Sequence, residues 1–347
     1  MAGKKPGREV ESVEPGEEPR LFHIGVSPHI RGKHTTTSIM RWVIAALLPL
    51  TAYGVYIGGT DALVVVLMSV VGAVATEAVI QKLRHLPVSI GDLSAVVTGL
   101  LLALTLPPGL PFWMPLLGGV VAIALGKQVF GGLGHNIFNP ALVGRAVLFI
   151  SWSEYMTTSW LVNPQAAAVQ TSAIKSINAV TSATPLATMG NVRDGELALE
   201  ASRYYGSLLF GNPWGCIGEV SALLILAGLV VLLIKGLVYW GIPVGYVGTV
   251  VALSWVLGMD PLFAALSGGL LLGACFMATD YVTNPMTARG KLVFAVGCGI
   301  ITVVLRFYSN LPEGVMFAIL VMNGFTPLID RYITPRPYGH KGLVKKV

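Results

Sequence analysis

The chain has 347 residues, of which 54% are hydrophobic and only 12% charged, whereas a soluble domain carries about 25% charged residues. Together with a mean hydropathy of +0.72, this excludes an ordinary soluble enzyme and points to an all-α polytopic membrane protein, because helices satisfy their own backbone groups in lipid. The formal net charge of +6 is then informative through its placement along the chain and is no sign of a nucleic-acid partner.

Residues 1–40 are polar and contain no apolar stretch suited to a cleavable signal peptide; they read as a cytoplasmic N-terminal segment. A membrane span needs about 20 apolar residues, fewer if it is broken. Ten are predicted, at about 41–59, 62–82, 90–106, 112–130, 138–152, 217–236, 241–258, 262–279, 291–308 and 313–330. They form a first membrane half at 41–152 and a second at 214–332. A polar segment at 153–213 separates the halves, and a basic tail follows at 333–347.

Charge placement orients the spans. With the N-terminus inside, eighteen of the 23 Lys and Arg fall in cytoplasmic segments, Lys82, Arg84, Lys127, Lys235, Arg289, Lys291 and Arg331 among them. Only Lys175, Arg193, Arg203 and Arg306 fall outside, and Arg145 lies within a span. This bias follows the positive-inside rule and places both termini in the cytoplasm and 153–213 outside. Five spans on each side of that loop make the second half inverted relative to the first, an arrangement that often meets at a site built from broken helices. GLLLALT at 99–105 and GLLLGAC at 269–275 occupy equivalent places in such a repeat; chance likeness between Leu-rich helices is the competing explanation.

Charges within spans are costly and mark function. Glu77 lies in the second span with no basic neighbour there, Asp280 ends the eighth and Asp330 ends the tenth. All three are candidates for ion coupling, although Asp330 also stands beside Arg331 as a pairing partner. Asp92, at the start of the third span, equally suits a helix N-cap.

Two stretches read as unwound backbone at membrane depth: GKQVFGGLGHNIFNPALVGRA at 126–146, with Asn139-Pro140, and ATDYVTNPMTARGK at 278–291, with Asn284-Pro285. Such backbone is tolerated only against protein, water or a ligand. A flat ring packed against the glycines and a plain re-entrant turn both satisfy that condition. Cys216, Cys275 and Cys298 have no metal-ligand or disulfide spacing, the six His show no haem-like pairing, and no GxGxxG, P-loop or HExxH occurs.

The outer segment holds a Thr-rich island, INAVTSATPLATMG at 177–190. Composition alone reads it as a surface loop, but its string is specific. TSAT at 181–184 resembles the flavinylation motif, commonly Ser/Thr-Gly-Ala-Thr, of two related bacterial redox pumps. These are the Rnf complex, where the D subunit carries it, and the sodium-translocating NADH:quinone oxidoreductase, where the B subunit does. GKQVFGGLGHNIFNPALVGRA, ATDYVTNPMTARGKLVF and LPEGVMFAILVMNGFTPLIDRY are similar to that family too, and VSPHIRGKHTTTSIMRWV at 26–43 resembles the start of the Rnf protein. The likeness spans roughly 26–338 and favours the Rnf side.

The resemblance implies a flavin-carrying subunit that passes electrons between ferredoxin and NAD branches, coupled to Na⁺ or H⁺ movement, and that is an enzyme only within its complex. It implies FMN esterified to Thr184, with Ser182 standing where the motif commonly has Gly, and a second, noncovalent riboflavin. Asn139, Arg145 and Asn284 are its expected cofactor-binding neighbours. The implied partners are the other members of the complex, including a second flavinylated one and iron–sulfur proteins, and a flavin transferase. The implied location is the bacterial inner membrane. Two readings stay open: the B subunit of the quinone reductase, and a passive small-solute channel of the same architecture.

Overall fold

The computed structural model describes residues 35–159, 206, 209–210, 215–258, 260–267, 269–308 and 314–334. The chain divides into two units, Met1–Thr35 and Thr36–Val347, and the helices below belong to the second. Thr184, Ser182 and the rest of the island, the termini, and most of 153–213 lie outside the described residues.

Every described element is helical. Helix α1 runs over Thr36–Leu83 and is broken at Gly59, whose φ of 66° and ψ of −151° give two arms. Those arms match the first two predicted spans, and the break needs glycine because a Cβ disfavours positive φ. Helix α2, Ser94–Leu104, is short and almost wholly buried. Helix α3, Trp113–Ile123, continues into a π turn at Ala124–Gln128. Helix α4, Pro140–Ser151, starts as Asn139-Pro140 dictates: the Asn139 side chain accepts from Ala141 N at 3.1 Å, and proline takes the first helical position, where no amide is needed. A short helix α5, Ser153–Thr158, follows.

Beyond residues 153–213 come α6, Ala222–Ile234, and α7, Gly241–Val256. The predicted eighth span, 262–279, is not continuous. It consists of α8, Pro261–Leu266, then α9, Leu270–Leu272, which passes into a second π turn at Gly273–Met277. Asp260 starts α8 by accepting from Leu262 N and Phe263 N, and Gly269 restarts the helix with φ 65°. Helices α10, Ala288–Tyr308, and α11, Gly314–Tyr332, complete the bundle.

Three of these helices are long and apolar enough to cross a membrane: Thr36–Leu83, Ala288–Arg306 and Gly314–Tyr332. Four shorter apolar helices, α2, α4, α6 and α7, lie among them. This is an all-α membrane protein among its described residues. Helix α1 packs on α2, α3 and α6, α3 on α4, and α10 on both α7 and α11. Small residues let backbones approach: a Cβ on Gly119 would lie 2.5 Å from Ser69 O, and one on Gly99 would lie 2.7 Å from Val70 Cα.

Candidate functional site

The second arm of α1 carries Glu77 into the bundle, where it is 1% exposed. The expectation of a lone carboxylate is corrected here. Lys127, 2% exposed, places Nζ 2.6 Å from Glu77 Oε1. This partner is 50 residues away in sequence, which is why Glu77's own span shows no counter-charge. Lys127 sits in the π turn that continues α3, where the widened repeat changes which side chains face the bundle. It is therefore no surface charge, contrary to its expected place among the cytoplasmic loop residues.

A polar network surrounds the pair. Gln81 and Gln128 also donate to Glu77 Oε1, each at 3.3 Å. Lys127 donates to Ser94 Oγ at 2.6 Å, and Ser94 donates to Asp92 Oδ1 at 2.6 Å. Asp92 also accepts from Ser94 N at 2.8 Å, but it is not the expected N-cap: it ends a 3-10 turn, and Leu93, in left-handed backbone, holds the cap position of α2 with no side-chain bond. Glu77 Oε2, by contrast, has no hydrogen-bond partner. Burying two charges is costly unless their remaining valences are satisfied, and this oxygen is left without that compensation.

Ser94 and Lys127 also border a cavity of about 110 Å³. The two unwound stretches meet there: Leu133, Asn136, Asn139 and Pro140 from the first, and Thr279, Asp280, Tyr281 and Val282 from the second. Their irregular backbone is held by side chains. Asn139 donates to Met277 O at 3.2 Å. Asn323, fully buried in α11, bridges both stretches when its amide is oriented to suit its neighbours: it donates to Thr283 O at 3.3 Å and accepts from Asn139 N at 3.1 Å. Thr326 donates to Thr283 O at 3.0 Å, and Tyr281 donates to Leu237 O.

The other expected residues separate. Asp280 lines the cavity and accepts from Thr283. Asn284 is not in the cavity wall; it donates to Asp280 O at 2.6 Å and holds the turn. Asp330 accepts from Met286 N at 3.0 Å, so it ties α11 to the second unwound stretch. Arg145 is not with Asn139 and Asn284. It lies buried in a second group with Cys216, whose Sγ is 3.6 Å from its Nη2, and with Glu219, with which it interacts electrostatically. Arg306 also interacts with Glu219 and donates to the carbonyls of Ala264 and Ser267.

Lys127, Glu219 and Asn323 are functional candidates that the sequence alone does not single out. Each is a polar residue inside a predicted apolar span, and that is the available signal. Lys127 counts there only by its sign, Glu219 stands at a span boundary, and Asn323 carries no charge.

Fold and site thus define a helical membrane protein with charged groups buried inside its bundle and broken helices meeting at a polar cavity. The chain belongs to the NQR2, RnfD, RnfE family, whose model matches residues 23–339. It is 46% identical over 316 residues to the D subunit of the Na⁺-translocating ferredoxin:NAD⁺ oxidoreductase complex of Acetobacterium woodii, covering 91% of this chain and 95% of that one. It is 41% identical over 330 residues to the D subunit of the proton-translocating ferredoxin:NAD⁺ oxidoreductase complex of Clostridium ljungdahlii, covering 92% and 96%. It is 40% identical over 346 residues to the D subunit of the ion-translocating oxidoreductase complex of Halorhodospira halophila, covering 93% and 97%.

Proposed function

We propose that this chain is the D subunit of an ion-translocating ferredoxin:NAD⁺ oxidoreductase, the Rnf complex. The observation that carries this reading is likeness along nearly the whole length to proteins of that name, 46% identical in one case. The two ferredoxin-named relatives differ in the ion that their names give, so the coupling ion stays open between Na⁺ and H⁺. We read the protein as ten spans in a five-plus-five inverted repeat, in the bacterial inner membrane with both termini cytoplasmic. The Lys/Arg bias supports that orientation. The repeat is supported by the meeting of the two similar strings: Gly218 packs between Leu104 of one and Leu272 of the other.

In this reading Thr184 carries FMN. Its hydroxyl forms the phosphoester, in an outer loop that a flavin transferase reaches. When bound, FMN supplies a carrier of one or two electrons between a second flavinylated protein and the iron–sulfur members of the complex. The chain's own contribution lies in its charges. Glu77 has one satisfied oxygen and one without a hydrogen bond, and its partner Lys127 lines a cavity that Asp280 also lines. Negative charge arriving nearby favours uptake of a cation in low dielectric, and Glu77, Asp280 and Asp330 are the carboxylates we assign to that coupling.

A noncovalent riboflavin is less readily accommodated. The Ser94, Asn136, Asn139 and Thr279 side chains suit the polar edge of a flavin ring. The volume of about 110 Å³ is nevertheless below the ~300–1,000 Å³ of small-molecule pockets. A tricyclic ring does not fit the cavity as it stands.

The test uses inverted membrane vesicles from cells lacking this protein and from cells complemented with it. Reduced ferredoxin should drive NAD⁺ reduction and ion uptake only in the complemented vesicles. Equal rates in both would overturn the assignment.

A further inference from the structure

In transporters with discontinuous helices, unwound carbonyls and half-helix C-termini coordinate the moving cation. In this protein such carbonyls at the break in the second half are already taken. Between α8 and α9 the backbone leaves the helical path at Ser267, with φ −98° and ψ 154°, and re-enters at Gly269. The carbonyls of Ala264 and Ser267 there accept from Arg306 Nη1 and Nη2 at 2.7 and 2.9 Å. A guanidinium held by two bonds occupies the position that a cation would take.

The carbonyls at the end of the short helix α2 are also taken, here by backbone amides and a thiol. The carbonyls of Leu104 and Leu106, at the end of α2, accept from the amides of Gly218 at 2.7 Å and Ile217 at 3.2 Å. The carbonyl of Thr105 between them accepts from Cys216 Sγ at 2.9 Å. Arg145, Glu219, Thr105 and Gly269 border a small cavity between these ends, of about 10 Å³. Glu219 interacts with both arginines, so among the described residues two cations and one anion stand at this junction.

We propose that Arg306, with Arg145, is a fixed positive seal where the two broken helices meet, which denies cations a passive route through the bundle. This rests on reading the chain as part of an ion-translocating complex. Without a seal, a polar junction between half-helices would dissipate the gradient that the complex builds. A fixed guanidinium excludes cations from a narrow polar passage while leaving packing intact, and it uses the carbonyls that would otherwise invite them.

The test uses the whole complex, purified through a tag on this chain and reconstituted in liposomes without ferredoxin or NAD⁺. Passive Rb⁺ and Cl⁻ efflux are measured side by side. Arg306→Gln should raise Rb⁺ efflux at least ~10-fold and leave Cl⁻ efflux unchanged, as expected when a positive barrier of this kind is removed. Arg306→Lys, which keeps the charge, should stay as tight as the parent. Arg145→Gln carries the same expectation and gives the reading if the Arg306→Gln complex does not assemble. Rb⁺ efflux equal to the parent's overturns the proposal. A parallel rise in Rb⁺ and Cl⁻ efflux also overturns it, since that is loss of packing. Because the liposomes are unenergised, failure here leaves the proposed function standing. Loss of redox-driven uptake from liposomes that remain tight would count against the proposed function instead.

Discussion

Lys127→Met takes away the cation that faces the buried Glu77. Stranding one partner of a buried pair costs about 3–5 kcal/mol. Removing both charges with Glu77→Leu and Lys127→Met should cost less than the sum of the single changes, because contacting residues couple. Thermal unfolding of the detergent-solubilised protein measures this; strict additivity would mean that the 2.6 Å contact contributes nothing. At this scale the sequence marks Glu77 as costly but hides its partner. A pair formed across 50 residues depends on how α1 packs against α3 and its π turn, and no local pattern carries that. The Asp92 contact is local, reaching Ser94 two residues on, but the 3-10 turn moves the cap position of α2 to Leu93, which the sequence does not mark.

Among the elements, the breaks decide the geometry. Gly269 and Gly236 both have left-handed backbone, with φ 65° and 67°, a conformation that costs an L-residue roughly 1–2 kcal/mol. Of the two, Gly269 is also crowded, since a Cβ there would lie 2.7 Å from Glu219 Oε1, whereas nothing lies within 4 Å at Gly236. Gly269→Ala should therefore destabilise the protein more than Gly236→Ala, and Glu219→Ala should bring the two effects together. Equal effects before that change, in the same unfolding measurement, would show that the carboxylate yields freely. Glycine and Asn-Pro signals make Gly59 and the start of α4 readable from sequence. The π turns at 124–128 and 273–277 are not, because nothing in ALGKQ or GACFM distinguishes a π turn from an α-helical one. The eighth span reads as one helix for a related reason: 262–279 is almost continuously apolar, while its interruption depends on Arg306 reaching across from α10.

Across the whole molecule, the apolar runs are plain in composition, but the meeting of 126–146 with 278–291 at one cavity is not. It is made by Asn139 and Asn323, each bonding backbone far away in the chain. Sidedness gives a direct expectation. A cysteine replacing Gln165 should react with an impermeant maleimide in intact cells, and one replacing Gly342 should react only after permeabilisation; the reverse pattern would invert the topology and move Thr184 to the cytoplasm. The central claim is that this is the flavin-carrying member of a redox-driven ion pump, and the intact mass of the purified chain tests it most directly. We expect the mass of the chain plus FMN less one water, reverting to the bare chain in Thr184→Val. A bare chain in the parent protein, or flavin mass that persists in Thr184→Val, would contradict the account.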